Sequence, residues 1–310
     1  MSDKSPVISQ GMLDEIAAQV RPLIGKGRVA DYIPALARVD PDRFAMSVHT
    51  IDGREYSVGY ADERFSIQSI SKILTLTLAM KFVDENLWRR VGRNPSGTSF
   101  NSLVQIEHER GIPRNPFINA GAMVVTDCVV SHTADPLGLI LNFARHLAKR
   151  EDLDFDLEVA ESERTSGHRN VALAYLIKSF GNIYNDVEKV LAVYFRHCSL
   201  AMSCQELGRA FLFLANEGVD PPTGESVLSA AHTRRINSLM QSCGMYEAVG
   251  EFAYRVGLPG KSGVGGGLVA VVPRRMTICV WSPELDPVGN SLAGVRAMEL
   301  FVNRTGTSVF

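Results

Sequence analysis

The sequence predicts an α+β protein in which strands from both ends of the chain form one antiparallel sheet beside a helical region. Three observations support this. Apolar and polar residues alternate over positions 44–60, helix-like apolar spacing dominates from Ser69 to about Met240, and β-branched or glycine-rich stretches return after position 250. Because the strand signals lie at the two ends, we expect the helical region to be an insertion packed beside the sheet.

An N-terminal helix and a hairpin come first. The helix is predicted to end near Gly25 and Gly27. Strands are expected over 44–48 and 54–60, and Asp52-Gly53 supplies the tight turn between them. The apolar residues at helical spacing are Met12, Leu13, Ile16, Val20, Leu23 and Ile24.

The middle of the chain is predicted to be helical, and strands follow it. Apolar stretches over 171–177, 187–195 and 207–214 are separated by Gly, Pro, Asp and Asn. The β-rich stretches that follow are 252–256, 263–272 and 276–281, the last two joined at Pro273-Arg274-Arg275.

A final helix is expected after Asn290 or Ser291, either of which could cap it. Its apolar face would carry Leu292, Val295, Met298 and Phe301 or Val302. We therefore divide the chain into a sheet subdomain, residues 1–66 and 247–310, and a helical subdomain, residues 67–246, which together make one catalytic unit.

Composition limits the class of partner. The 310 residues are 45% hydrophobic and 21% charged with a formal net charge of -2, which disfavours nucleic acid or an acidic membrane and favours a small ligand. The start, Met1–Pro6, lacks the pattern of an export signal and there is no long apolar run, so we expect a cytoplasmic protein. Five scattered cysteines and histidines without metal-ligand spacing predict neither disulfides nor a metal site.

Ser69-Ile70-Ser71-Lys72 is the first candidate for chemistry. A serine three residues before a lysine lies on the same face of a helix, so the amine can reach the hydroxyl. Lys72 is the only charged residue between Phe65 and Met80, so burial is expected to remove water from it and lower its pKa. This is the geometry of a nucleophilic serine activated by a lysine.

Two nucleotide motifs are incomplete. Gly260-Lys261-Ser262 resembles the end of a phosphate loop, but Arg255 stands where its first glycine is required. The glycines from Gly263 to Gly267 do not complete a dinucleotide fingerprint. They mark either close backbone packing or a place where a backbone amide approaches a ligand.

Four further segments have ordinary structural interpretations when taken singly. An asparagine of Asn115–Ala122 suits a helix N-cap, and Glu161–Asn170 suits a solvated turn before a helix. Tyr194 follows apolar residues and suits a core, and a tyrosine at Tyr246 means little by itself.

Together these segments resemble the serine-dependent glutaminase family, whose catalytic domain has the β-lactamase and penicillin-binding-protein fold. The resemblance covers nearly the whole chain and departs from the wider superfamily in lacking a Ser-Asp-Asn motif and an export signal. The segments that carry it are Gln68–Lys72, Asn115–Ala122, Ser162–Arg164, Ser166–Asn170, Tyr194-Phe195, Ser242–Tyr246 and Gly257–Val264.

The resemblance implies hydrolysis of L-glutamine to L-glutamate and ammonia through an acyl-enzyme, with neither metal nor cofactor. It implies Ser69 as nucleophile, Lys72 as base and Tyr246 as proton-transfer residue, and suggests a homodimer or homotetramer. The backbone N–H groups of Ser69 and Val264 would form the oxyanion hole. The substrate-binding residues would be Ser69, Asn119, Glu163, Asn170, Tyr194, Tyr246 and Val264.

Three alternatives stay open at this point. A β-lactam hydrolase or peptidase would use the same serine and lysine on another substrate. A binding module would sense glutamine or glutamate without turnover. A preference for asparagine would require the site to distinguish one methylene, which is worth about 1–3 kcal/mol.

Overall fold

A computed structural model describes residues 8–97 and 99–310, so the prediction made for Met1–Pro6 lies outside the described residues. The strands are β1 Ala45–Thr50, β2 Glu55–Gly59, β3 Phe65–Ser66, β4 Asp154–Phe155, β5 Leu200–Met202, β6 Gly260–Ser262, β7 Gly267–Val272 and β8 Met276–Trp281. The α-helices are α1 Gln10–Val20, α2 Lys72–Val83, α3 Leu103–His108, α4 Asn119–His132, α5 Pro136–Ala148, α6 Leu157–Ser166, α7 His168–Ser179, α8 Val187–Cys198, α9 Cys204–Ala210, α10 Leu212–Ala215, α11 Ala230–Cys243, α12 Val249–Arg255 and α13 Leu292–Thr305.

The main sheet joins the two ends of the chain, as the sequence predicts. Its strand order is β2-β1-β8-β7-β6, and each neighbouring pair is antiparallel. Val48 of the N-terminal hairpin lies opposite Ile278 of β8, so the pairing between β1 and β8 connects segments far apart in sequence. The α+β prediction is confirmed.

Helices cover both faces of this sheet. On one face, α1 and α13 pack Ile16 and Phe301 against Met46 and Ile278. On the other face, Val269 of β7 belongs to the large core shared with the helical region. Alternation of side chains along each strand therefore supplies two separate apolar clusters from one sheet.

Two predictions for the C-terminal strands are wrong. Residues 252–256 form the end of α12 and the residue after it, because Phe252 is buried there on one side of a helix while Tyr254 is exposed. Residues 263–272 are not one strand, since a turn over 263–266 separates β6 from β7. A short apolar run does not by itself distinguish the two kinds of element.

The final helix begins where predicted, and part of its predicted apolar face is buried. Ser291 is its N-cap and accepts a hydrogen bond from the Gly294 N–H. Leu292 and Val295 are partly exposed, whereas Met298, Phe301 and Val302 are buried as predicted. The buried residues of α13 are Ala293, Gly294, Ala297, Met298, Phe301 and Val302.

The helical region is built around α2 and α4, which pack against each other. Every residue of α2 from Lys72 to Met80 is buried. A second, small sheet of order β3-β5-β4, which the sequence did not predict, lies at the start of this region. Among the described residues, no helix taken singly is long and apolar enough to cross a membrane; the bent pair α4 and α5, at 102° to each other, meets the length and composition test jointly.

Candidate active site

Ser69 lies in a strained turn immediately before α2. Residues Gln68–Ser71 form a 3-10 helix, and Gln68 has a φ of 49°, in the left-handed region that residues other than glycine rarely adopt. Ser69 is therefore not inside the α-helix that Lys72 begins. Residues three apart still share a face, because a 3-10 helix repeats every three residues.

Lys72 is fully buried beneath this turn. Its Nζ donates hydrogen bonds to Phe117 O at 3.1 Å and to Asn119 Oδ1 at 2.7 Å. Burial lowers the pKa of Lys72 from 10.5 to about 8, because the charged amine loses its water. The predicted desolvation of this lysine is confirmed.

Asn119 connects the lysine to a second amide. Its Nδ2 donates to Asn170 Oδ1 at 2.9 Å, while its Oδ1 faces Lys72. The N-cap prediction for this segment is wrong. Ile118 is at the cap position of α4, Asn115 Oδ1 accepts from the N–H groups of Phe117 and Ile118, and Asn119 is the first helical residue.

Glu163 is a buried carboxyl group on α6, so the interpretation of this stretch as a solvated turn is wrong. Its Oε1 accepts from Gln68 Nε2 at 2.9 Å. Burial raises the pKa of Glu163 to about 7; the Gln68 hydrogen bond and the nearby Lys72 charge act in the opposite direction. Any cation that enters the cavity would stabilise the ionised form of this buried carboxyl group.

The two predicted tyrosines are both buried. Tyr194, on α8, lies against Cys198 on the same helix, and burial raises the pKa of its hydroxyl well above 10. Tyr246 has a φ of 52° and donates a long hydrogen bond of 3.4 Å to Ser262 O. Burial raises the pKa of Tyr246 to about 12, opposed by hydrogen bonds from Ser69, Ser262 and the Val264 amide.

The turn between β6 and β7 lies directly against the serine turn. A methyl group on Gly263 would be 2.5 Å from Ile67 O and 3.3 Å from Ser69 N, so only a glycine permits this approach. The prediction that these glycines allow close backbone approach is confirmed. This close approach of the two turns brings the backbone of Val264 near that of Ser69.

A small cavity of about 90 Å³ lies between these elements. Six of the predicted residues line it: Ser69, Asn119, Glu163, Asn170, Tyr194 and Val264. Lys72 lies beneath it through Asn119, and Tyr246 contacts it through Ser69 and Val264. The structure thus brings together residues that are up to 195 positions apart in the sequence, from Ser69 to Val264.

The comparisons with known proteins agree with this geometry. The family model described as Glutaminase matches residues 27–310. The glutaminase of Proteus mirabilis is 54% identical over 304 residues, which cover 98% of this chain and 99% of the relative.

The chain belongs to the glutaminase family. Two solved structures of probable glutaminases have the same fold as this chain. One, a probable glutaminase named YbaS, is 38% identical with a TM-score of 0.90, over 98% of this chain and 99% of the other. The other is a probable glutaminase from Bacillus subtilis complexed with 6-diazo-5-oxo-L-norleucine. It is 29% identical with a TM-score of 0.88, over 100% of this chain and 99% of the other. The predicted β-lactamase-like fold and glutaminase activity, hydrolysis of glutamine to glutamate, are confirmed.

Several residues that line this glutaminase cavity are not among the predicted site residues, and Tyr32 and Gln68 are two of them. Tyr32 lines the cavity from the segment between α1 and β1, where no motif marks it. Gln68 precedes Ser69 in the motif, and its side-chain Nε2 donates to both Ser66 Oγ and Glu163. A polar residue amid the buried run that holds Lys72 was the available signal for Gln68.

A second buried lysine supports the glutaminase site from the sheet side. Lys261 Nζ donates to Gly244 O at 3.1 Å and to Ser262 O at 2.6 Å, and lies 4.7 Å from the centre of the Tyr246 ring. Burial, and then the Lys72 charge, lower the pKa of Lys261 well below 10.5. Its contacts hold the carbonyl two residues before Tyr246 and the Ser262 carbonyl to which the Tyr246 hydroxyl donates.

Among the described residues, three side chains outside the glutaminase cavity have the spacing of metal ligands. Asp84, Glu85 and His232 place their ligand atoms within 4.8 Å of one another. His232 already pairs with Asp84 at 2.7 Å and Arg235 pairs with Glu85, which gives these groups partners without a cation. Both carboxylates are exposed.

Proposed function

We propose that this glutaminase hydrolyses L-glutamine through an acyl-enzyme on Ser69, with Lys72 as base and Tyr246 as proton-transfer residue. The observation that carries the proposal is a single small cavity lined by Ser69 and lying above a buried lysine whose pKa is about 8. At that pKa a substantial fraction of the amine is neutral near physiological pH, as a general base requires.

The contacts of Lys72 suit proton acceptance. A neutral amine has two protons and one lone pair, and Phe117 O and Asn119 Oδ1 use both protons. The lone pair is then the group left to receive the proton of Ser69 when its oxygen attacks the side-chain carbonyl of glutamine. Asn119 thereby orients the base as well as lining the cavity.

The oxygen of the tetrahedral intermediate carries negative charge and needs donors already in place. We assign this task to the backbone N–H groups of Ser69 and Val264. Support comes from the contact of Gly263 with the serine turn, which brings the two backbone segments together. Removal of one such donor typically costs about 100- to 1000-fold in rate.

Ammonia leaves readily only after its nitrogen is protonated. The Tyr246 hydroxyl, with a pKa of about 12, stays protonated and lies within hydrogen-bonding reach of Ser69. It can therefore pass a proton to the departing nitrogen and recover one from the base. Water then attacks the acyl-enzyme and releases glutamate.

Glu163 is proposed to bind the α-ammonium group of the substrate, because an ionised carboxyl gains a charge-assisted hydrogen bond there. Asn119, Asn170 and Tyr194 supply amide and phenol groups for the rest of the amino acid. The Asn170 carbonyl oxygen is held by Asn119, which leaves the Asn170 N–H donors for the substrate carboxylate. Together these contacts select a free amino acid.

Three wider assignments are also proposals. The division into a sheet subdomain, 1–66 and 247–310, and a helical subdomain, 67–246, is supported by the apolar cluster on one sheet face, whose buried residues other than Met245 all come from the sheet subdomain. Assembly as a homodimer or homotetramer is supported by exposed aromatic residues such as Phe180 and Tyr184. A cytoplasmic location is supported by five buried free cysteines.

Two of these assignments, the assembly and the location, have a direct measurement. Light scattering after gel filtration gives the oligomeric mass, and a monomer at micromolar concentration would contradict the assembly. Fractionation of cells expressing the chain gives its compartment.

The activity experiment measures ammonia release from L-glutamine and L-asparagine by the parent, Ser69→Ala and Lys72→Ala. We expect release from glutamine by the parent and a loss of at least about 1000-fold in both variants. Labelling with 6-diazo-5-oxo-L-norleucine, followed by peptide mass spectrometry, should place the adduct on Ser69. Ser69→Ala that retains the parent rate would refute the nucleophile assignment.

A further inference from the structure

His197 is a fully buried histidine behind the serine turn, and the mechanism above does not use it. It lies on α8 and is 0% exposed. Its Nδ1 is 2.8 Å from Ser71 Oγ and its Nε2 is 3.2 Å from Thr126 Oγ1. Burial lowers the pKa of His197 to about 3, so the ring is neutral and carries one N–H.

The direction of these hydrogen bonds can be worked out from the protons available. Ser71 has one hydroxyl proton, and it donates to Gln68 O at 2.7 Å. The contact with His197 Nδ1 is then a hydrogen bond in which the nitrogen donates. Thr126 Oγ1 likewise gives its one proton to Ala122 O at 2.8 Å. The neutral ring therefore has a single N–H for two hydroxyl oxygens, and we place it on Nδ1, whose contact of 2.8 Å with Ser71 is shorter than the 3.2 Å contact of Nε2 with Thr126.

Gln68 is the residue that needs this support. It holds the strained φ of 49° immediately before Ser69, in a region that residues other than glycine rarely adopt. Its side chain is held by Ser66 and Glu163. Its carbonyl is held by Ser71, so the turn is anchored at both of its polar ends.

We propose that His197 is a positioning residue for the nucleophile: its Nδ1–H holds the Ser71 hydroxyl on the Gln68 carbonyl and so maintains the turn that presents Ser69. The inference rests on the proposed function of Ser69. His197 acts through Ser71 and Gln68, because those two residues lie between its ring and Ser69. Its loss therefore changes the geometry of attack more than the affinity for substrate.

The test compares His197→Asn with His197→Gln. An asparagine places its amide N–H near the position of Nδ1 and can still donate to Ser71, whereas a glutamine places its amide near Nε2. We expect His197→Gln to lose about 10- to 100-fold in kcat with KM within about threefold of the parent, and His197→Asn to retain most of kcat. A role in packing alone would treat the two variants alike or favour the larger glutamine.

Ser71→Ala tests the same link without changing the ring. We expect a similar loss of kcat, and no further loss when Ser71→Ala is combined with His197→Gln, because both remove one interaction. Thr77→Val is the matched control, since Thr77 is buried on α2 and its hydroxyl bonds only to Ile73 O in its own helix. It should keep the parent kcat.

The outcomes separate this inference from the proposed function. If Ser69→Ala is inactive but His197→Gln or Ser71→Ala keeps the parent kcat, the inference is overturned and the nucleophile assignment stands. Equal losses in His197→Asn and His197→Gln also overturn it. If the histidine variants fail to fold, kcat of Ser71→Ala decides.

Discussion

If Lys72 is the base and Glu163 binds the substrate ammonium group, as proposed, two buried groups with shifted pKa values set the pH dependence of the rate. Lys72 accepts a proton only when neutral, and its pKa is about 8; Glu163 binds a cation best when ionised, and its pKa is about 7. Both active forms are the deprotonated ones. We therefore expect kcat/KM to rise with pH through limbs near 7 and 8, measured as ammonia release from pH 5.5 to 9. A maximum below pH 6.5 would contradict both roles.

Asn119→Asp should move the higher limb. The variant keeps the shape of the side chain but places a carboxylate 2.7 Å from the amine of Lys72, which favours the charged lysine. We expect kcat at pH 7.5 to fall at least about 10-fold and the limb near 8 to move up by about one pH unit or more. Asn170→Asp is the comparison for the position of this limb, because Asn170 reaches the amine only through Asn119. Its limb should stay near 8, whereas its KM should rise because Asn170 is proposed to bind the substrate carboxylate.

Glu163 also makes a prediction about stability. Its pKa is raised from 4.5 to about 7 in the folded protein, so between these values the folded state holds a proton that the unfolded chain has lost. Its contribution to the free energy of unfolding therefore decreases as pH rises from 4.5 to 7, by at most about 3 kcal/mol.

Urea unfolding at pH 5 and pH 7.5 checks this sign. The decrease in unfolding free energy between the two pH values should be smaller in Glu163→Gln than in the parent. An equal decrease in both proteins would assign the effect to other groups.

At the scale of elements, the contact between two turns is the feature most open to test. Gly263→Ala would bring a methyl group to 2.5 Å from Ile67 O, so the β6–β7 turn or the serine turn must move. We expect a loss of kcat of about 100-fold or more while the protein remains folded. Gly250→Ala on α12, where a methyl group meets nothing within 4 Å, should keep the parent kcat and the same or slightly higher stability.

Several elements could be predicted from sequence because their signal is local. The Asp52-Gly53 hairpin and the helix after Ser291 depend on turn and cap chemistry within a few residues. The strand prediction for residues 252–256 is wrong because four of the five, all but Arg255, are apolar or aromatic and fit either a strand or one helical turn. The packing of Phe252 decides between the two.

In the candidate site, too, some features follow from local sequence and others depend on tertiary contacts. The spacing of Ser69 and Lys72 predicts their common face directly, and burial of Lys72 follows from its apolar neighbours. The position of Tyr32 at the cavity depends on the path of an irregular segment, which no periodicity describes. The left-handed conformation of Gln68 is likewise set by tertiary contacts, since glutamine has no preference for it.

For the whole molecule, the arrangement predicts a single unfolding transition. The large core contains Val269 and Trp281 of the sheet together with Ile73 and Val124 of the helical region, so neither subdomain keeps its apolar surface buried without the other. Activity, circular dichroism and tryptophan fluorescence should lose their native signals at the same urea concentration. Two separated transitions would show that the subdomains fold independently.

The pairing of β1 with β8 also has a consequence during synthesis. Roughly 220 residues separate these strands, so at 5–20 residues per second the ribosome needs about 10–45 s to deliver the partner of β1. Throughout that interval one edge of the N-terminal hairpin has no native neighbour, and unpaired strand edges invite association with other chains. Nascent glutaminase is therefore most exposed to aggregation late in translation, when most of its helices have already emerged.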